Sequence, residues 1–138
     1  MEQFIALAKL QVATGQTPVF ILGLQEIEWQ AEITAIVPEA LFPLQQDGLG
    51  EAHNYAPQLT ITLAQRLALA TSNDSGTGHM LATGGAELIS LFGRTVPEKF
   101  TPMACNLTII RAQDCGGREM DFIPVEALSE AIEEELVN

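Results

Sequence analysis

The sequence is poor in positive charge: six lysines and arginines stand against 18 aspartates and glutamates, which gives a formal net charge of −12. A nucleic-acid backbone and an anionic membrane surface would both repel such a chain. We therefore expect no nucleic acid among its partners. Four of the six bases fall between positions 94 and 118, where an anion could find cationic side chains: Arg94, Lys99, Arg111 and Arg118.

Long hydrophobic runs are also missing. No segment approaches the roughly 18 apolar residues of a transmembrane helix. The N-terminal Met1-Glu2-Gln3-Phe4 carries an acid where a signal peptide has positive charge. The sequence thus predicts a cytoplasmic protein without a transmembrane segment. Because 47% of its 138 residues are hydrophobic, it can still build the core of one domain.

Cysteine is scarce, since only Cys105 and Cys115 are present. Two thiols do not form a zinc site without further ligands, and both histidines lie far upstream in the sequence. We expect no metal site. Reduced thiols are the simple expectation for a cytosolic chain, with a structural disulfide as the alternative.

Apolar residues alternate between helical periodicity and short continuous runs. This pattern predicts helices near residues 4–14, 26–36, 59–70, 78–82 and 124–136, and strands near 18–22, 71–73, 87–92 and 107–110, with a brief strand at 41–44. Run 18–22 is typical of a strand buried on both faces, and Ile27, Trp29 and Ala31 are predicted to face inward. Residues 45–57 are predicted to form a loop.

The alternation of helices and strands predicts an α/β fold: a Rossmann-like parallel sheet with helices on both faces, in a single domain over residues 1–138. Such a domain normally opens on a strand, whereas this chain opens on a helix. Either that helix caps the sheet or a first strand is absent from the polypeptide.

The segment richest in chemical information follows a predicted strand and opens a helix: Asn73-Asp74-Ser75-Gly76-Thr77-Gly78-His79-Met80. Ligands of such folds bind beyond the carboxyl ends of the strands, and the amides at a helix start favour anions. The two glycines would allow close approach to the backbone, and the serine and threonine add hydroxyl donors. Asp74 could accept hydrogen bonds from sugar hydroxyls, and His79 could donate to a phosphate or sugar oxygen. The alternative is a helix N-cap with a glycine turn and a half-buried histidine.

Three more specific motifs do not fit this segment. A dinucleotide fingerprint needs a third glycine. A hydrolase nucleophile elbow needs glycines where Asn73 and Thr77 stand around Ser75. Asp74-Ser75-Gly76 matches the short motif of aspartic proteases, but those are all-β proteins and this sequence has at least four helical segments.

Residues 72–102 resemble the C-terminal half of heptosyltransferase-type glycosyltransferases, the family that includes ADP-heptose:lipopolysaccharide heptosyltransferases. Members carry Asp-Ser/Thr-Gly, then His, a helix of small residues, a strand ending in Leu-Phe-Gly, and then Thr-x-Pro. All of these occur here in order. Residues 18–28 resemble the family's strand ending in glycine before an acidic helix, and residues 123–128 resemble its closing helix.

The resemblance implies a GT-B enzyme of lipopolysaccharide biosynthesis in which this half binds the nucleotide-sugar donor. An ADP-sugar is favoured as substrate, with no metal and no separate cofactor. By this analogy Ser75, Gly76 and Thr77, with Gly78 beside them, cradle the diphosphate. Asp74 and His79 then face the sugar and its phosphate.

The same resemblance implies that residues outside 73–79 also contact the nucleotide. Gln25 or Glu26 would reach the ribose, although the family commonly has an acid where Gln25 stands. Tyr55 would lie against the base, or be a partly exposed loop aromatic. Arg94 and Lys99 would help to neutralise phosphate, or be lone surface cations.

The family's N-terminal half, which binds the acceptor and supplies an acidic general base, has no counterpart in this sequence. No catalytic residue is therefore assigned, because transfer needs a base within reach of the acceptor hydroxyl. We expect a donor-binding domain that is incomplete for catalysis alone. It would be a fragment, a reduced gene product, or one subunit that works with a separate acceptor-binding chain or as a homo-oligomer. The alternative is a non-catalytic binding or interaction module that retains the fold, with an unpaired sheet edge that invites a partner.

Overall fold

A computed structural model describes residues 1–46, 57–95 and 97–137 of the chain. These form two compact units, Met1–Leu59 and Thr60–Asn138. Within the described residues no helix is both long enough and apolar enough to cross a membrane.

Over residues 1–46, the first unit contains two helices and a small apolar core. Helix α1 spans Glu2–Ala13 and helix α2 spans Trp29–Ile36, and a 3-10 turn follows at Pro43–Gln45. Gly15, whose φ is 86°, follows α1 with the left-handed conformation that ends a helix. The helices meet around a cluster of buried side chains: Ile5, Ala8, Leu22, Ile33 and Val37.

The predicted strand at 18–22 is wrong, because this segment forms only one isolated parallel bridge, between Val19 and Leu41. The amide of Phe20 donates to Leu41 O at 2.9 Å, and the amide of Leu41 donates to Pro18 O at 2.9 Å. The run is only half-buried apart from Leu22. Phe20 instead stacks on Phe42, with ring centroids 5.8 Å apart. The apolar residues are thus used for side-chain packing rather than for a strand ladder.

Helix α2 begins at Trp29, later than predicted, and its buried face differs from the predicted one. The amide of Glu26 donates to Gly23 O and that of Trp29 to Glu26 O, so turns occupy residues 24–28. The predicted inward residues Ile27 and Ala31 are exposed. Ile33 is buried, and Trp29 packs partly buried against the core, since residues four apart share a helical face.

A parallel sheet organises the second unit and confirms the predicted α/β class. Strands β1 (Ala70–Asn73), β2 (Leu88–Phe92) and β3 (Leu107–Arg111) pair in the order β1-β2-β3. Ala70 lies opposite Leu88, and Leu88 lies opposite Leu107. The central strand β2 is buried along its whole length because it has a neighbour on each side and apolar residues on both faces.

Helices join and flank these strands: α3 (Pro57–Ala64), α4 (Gly76–Thr83), α5 (Pro97–Phe100) and α6 (Val125–Val137), with 3-10 turns at Ala112–Cys115 and Met120–Phe122. Helix α3 ends six residues before the predicted end at Ala70, which instead begins β1. Helix α6 buries Leu128 and Ile132, as its periodicity predicts.

Candidate functional site

The turn between β1 and α4 lies where ligands bind in parallel α/β folds. The amide of Asp74 donates to Leu91 O at 3.0 Å, which extends the β1–β2 pairing by one residue. Ser75 is extended, with φ −155° and ψ 165°, and α4 begins at the next residue. Because the strands are parallel, this turn shares an edge of the sheet with the carboxyl ends of β2 and β3.

Helix α4 starts without a side-chain cap. Ser75 occupies the N-cap position, but its hydroxyl does not cap the helix. Among the described residues, none accepts a hydrogen bond from the backbone amides of Gly76 or Thr77. The first helical amides and the positive end of the helix dipole thus remain available to an anion.

The two glycines of this turn have different surroundings. A Cβ atom added to Gly76 would meet nothing within 4 Å. A Cβ atom added to Gly78 would lie 2.5 Å from Ser72 Oγ, and Gly78 is buried. Gly76 therefore leaves space outside the helix, whereas Gly78 allows α4 to pack against β1.

The polar side chains around the turn are accessible to different degrees. Asp74 and Thr77 are half-buried, and Ser75 and His79 are exposed, so His79 is not the half-buried residue of the N-cap alternative. Within the described part of the chain, no hydrogen bond or ion pair engages these four side chains. They are thus available to a ligand together with the open amides.

The ribose candidates Gln25 and Glu26 belong to the first unit, whereas residues 73–79 belong to the second. Gln25 is exposed. Glu26 is half-buried, and its carboxylate folds over Gly23, where an added Cβ would lie 2.6 Å from Glu26 Oε2. Tyr55 lies outside the described residues.

Both predicted phosphate-neutralising cations are exposed. Arg94 lies just beyond β2 and donates from Nε to Glu119 Oε1 at 2.6 Å, so it is not a lone cation. Lys99 lies on α5 and has no ion-pair partner among the described residues. Arg111 pairs with Glu98 at 3.3 Å.

A polar depression of about 520 Å³ lies beside Arg94, lined by Arg94, Gln113, Arg118 and Glu119. From the sequence, Arg94 is a phosphate-neutralising candidate and Arg118 is only part of a basic segment, whereas Gln113 and Glu119 were missed. No local pattern marks these two residues, because they reach the depression through the fold of the segment after β3.

Cys105 and Cys115 are free thiols, as expected for reduced cysteines. In the described ranges, no group of three or more histidine, cysteine, aspartate or glutamate residues is placed to hold a metal ion.

Comparison with known proteins identifies the family. Residues 46–121 match the family model of glycosyltransferase family 9 (heptosyltransferase). This match covers more than half of the chain and includes β1, β2, β3 and the turn at 73–79. No curated protein matches the chain.

Solved structures of low sequence identity share the fold. The E. coli heptosyltransferase WaaC with ADP is 20% identical with a TM-score of 0.76, over 97% of this chain and 38% of that one. A family 9 glycosyl transferase from Veillonella parvula DSM 2008 is 18% identical with a TM-score of 0.77, over 99% and 41%. The E. coli ADP-heptose lps heptosyltransferase II is 21% identical with a TM-score of 0.75, over 98% and 40%. This chain spans about two fifths of the length of these proteins.

The resemblance inferred from the sequence is therefore confirmed. The family match includes the Asp-Ser-Gly turn, and nearly the whole chain superposes on heptosyltransferase structures. The chain belongs to glycosyltransferase family 9.

Proposed function

We propose that this chain binds the diphosphate of a nucleotide-sugar at residues 73–79 and is the donor-binding part of a glycosyltransferase. The observation that carries the proposal is the start of α4, where the amides of Gly76 and Thr77 have no acceptor among the described residues and Gly76 leaves open space. An anion at such a helix start gains both the amide hydrogen bonds and the helix dipole.

The side chains of the turn extend this interaction. The hydroxyls of Ser75 and Thr77 can donate to phosphate oxygens, and His79 is exposed one turn along the same end of α4. Asp74, an acceptor when ionised, suits hydroxyl groups of the sugar. Since the chain carries a net charge of −12, anion binding here depends on local donors rather than on overall charge.

An ADP-sugar is the proposed donor, because the E. coli heptosyltransferase WaaC was solved with ADP and a second structural match is an ADP-heptose enzyme. The proposed reaction is transfer of the sugar to a lipid- or glycan-linked hydroxyl in lipopolysaccharide biosynthesis, in the cytoplasm. The acceptor site and the general base would be supplied by a part of the enzyme outside these 138 residues. No residue of this chain is assigned that role.

Calorimetric titration with ADP, UDP and GDP tests the proposal. We expect one nucleotide, ADP, to bind saturably. Thr77→Ala removes a hydroxyl donor to a charged group and should weaken binding about tenfold or more. Gly76→Ala should keep the fold, since its Cβ meets nothing within 4 Å, and yet weaken binding by occupying the ligand's space.

Thr83→Ala is the matched control, because Thr83 lies at the other end of α4 and its hydroxyl donates only to His79 O, at 2.8 Å. It should leave nucleotide affinity unchanged. Absence of binding by the wild-type chain at millimolar nucleotide would refute donor binding and favour the non-catalytic module. Equal losses in Thr77→Ala and Thr83→Ala would refute the assignment of the site to the start of α4.

A further inference from the structure

The depression beside Arg94 is lined by polar and charged side chains. Two guanidinium groups, one amide and one carboxylate line about 520 Å³ of open space. In a chain with six basic residues, two of them converge on this one depression.

The carboxyl end of β2 brings these side chains together. Gln113 Nε2 donates to Gly93 O at 2.6 Å, which fixes the segment after β3 beside the end of β2. A Cβ atom on Gly93 would lie 3.2 Å from Arg118 O, so the backbone at 118 packs closely on that glycine. Backbone packing around Gly93 therefore brings the main chain at 94 and at 118 together, so that both arginine side chains start from this end of β2.

Arg94 and Arg118 differ in their pairing. Arg94 binds Glu119, and the two side chains are 76% and 50% exposed. Arg118 has no ion-pair partner in the described part of the chain. An ion pair this exposed is weak in water, so an incoming anion can replace the Glu119 carboxylate on Arg94 at little cost.

We infer that this depression is a binding site for a phosphate-class oxyanion, held by Arg118 and Arg94, with Glu119 as an internal competitor for Arg94. A planar guanidinium binds phosphate with two parallel hydrogen bonds, which suits this role. The Gln113 side-chain oxygen is left to accept a hydrogen bond from a hydroxyl next to the anion, since its nitrogen is used on Gly93. The inference does not depend on nucleotide binding at residues 73–79.

Titration of the full chain with inorganic pyrophosphate at low ionic strength is the direct test. Arg118→Ala should weaken binding about tenfold, because a charge-assisted hydrogen bond to the anion is lost. Glu119→Gln should strengthen binding about three- to tenfold, because it removes both the competitor and a repelling charge. A purely structural ion pair would give no gain in Glu119→Gln.

Glu98→Gln is the matched control. It breaks the Arg111–Glu98 pair, which is also exposed, and it changes the net charge by the same amount without touching the depression. We expect its pyrophosphate affinity to equal that of the wild type. An equal gain in Glu98→Gln and Glu119→Gln would overturn the inference, as would no pyrophosphate binding at millimolar concentration by a folded chain.

Competition with ADP distinguishes two sources of the anion. If ADP displaces pyrophosphate and Arg118→Ala lowers the affinity for both ligands, the site binds the diphosphate of the donor. If ADP and pyrophosphate bind together, the site takes a phosphate from another ligand. Either result supports an oxyanion site. If the Arg118→Ala variant binds pyrophosphate with the same affinity as the wild type, the inference is refuted.

Discussion

The contact between Gly78 and Ser72 yields a prediction that combines local geometry and stability. Ser72 is buried on β1, and its Oγ has no hydrogen-bond partner among the described residues. The same atom lies 2.5 Å from where the Cβ of an alanine at position 78 would stand. The perturbation is therefore a double-mutant cycle of Gly78→Ala and Ser72→Ala.

The magnitudes follow from opposing effects. An alanine inside a helix is favoured over glycine by about 0.5–1 kcal/mol, but overpacking a buried contact costs about 1–3 kcal/mol. We expect Gly78→Ala alone to lower the free energy of unfolding by about 1–2 kcal/mol. In the Ser72→Ala background the remaining neighbours, Asn73 O and the Cβ at 72, are both 3.6 Å away at normal contact distance. Alanine at 78 should then be neutral or stabilising.

Ser72→Ala itself should not be destabilising. Its hydroxyl is buried without a described partner, and such a group carries a desolvation penalty of about 1–3 kcal/mol. The predicted coupling energy between positions 72 and 78 is thus the overpacking cost, about 1–3 kcal/mol, which is above the roughly 0.5 kcal/mol expected for independent sites.

The assay must report on the second unit. The single tryptophan, Trp29, lies in the first unit, so its fluorescence would not follow this contact. Urea unfolding followed by circular dichroism, with hydrogen exchange of the β2 amides, measures the relevant free energy. If Gly78→Ala costs the same in both backgrounds, Ser72 rotates away freely and the packing role of Gly78 is wrong.

Two further predictions concern closely packed positions of the same unit. Gly84→Ala should destabilise the chain by about 3 kcal/mol, because its Cβ would overlap the backbone oxygen of Ile61 and lie 2.5 Å from Ala64 Cβ. Gly85→Ala is the comparison, since Gly85 has φ 87° but open space around its Cβ position. If thermal melts show a larger loss for Gly85→Ala than for Gly84→Ala, the prediction is wrong. Ser90→Ala should leave stability unchanged or raise it by about 1 kcal/mol, since the fully buried hydroxyl of Ser90 has no partner among the described residues. A clear loss in urea unfolding of Ser90→Ala would show that this hydroxyl is satisfied.

The second unit was predictable because its signals are local. Glycines at 84–85 and 93 bracket the apolar run that forms β2, and the polar end of β1 leads directly into the turn. Parallel pairing then follows from the alternation of strands and helices. The position of residues 73–79 at the carboxyl edge of the sheet could be derived without any tertiary information.

The first unit was less predictable because its outcome depends on neighbours. An apolar run such as 18–22 suits a buried strand or an extended segment packed by side chains, and the run itself does not show which neighbour it meets in the fold. Helix α2 shows the same limit: turns over residues 24–28 precede Trp29, and the helix buries Ile33 instead of Ile27 and Ala31. The depression at Arg94 likewise needs Gln113 and Gly93 to be adjacent.

In the Gly76-Thr77-Gly78 sequence of the turn, one glycine is required for folding and the other is proposed to serve ligand binding. Gly78 is needed because β1 and α4 approach closely there, whether or not a ligand is present. A Cβ atom at Gly76 would meet nothing within 4 Å in the described protein, so packing does not require a glycine there. If substitution of Gly78 changes stability while substitution of Gly76 changes only affinity, the open face of the turn serves the ligand and the packed face serves the fold. If substitutions of Gly76 and of Gly78 both lower the free energy of unfolding, the whole Gly-Thr-Gly sequence serves the fold and not the ligand.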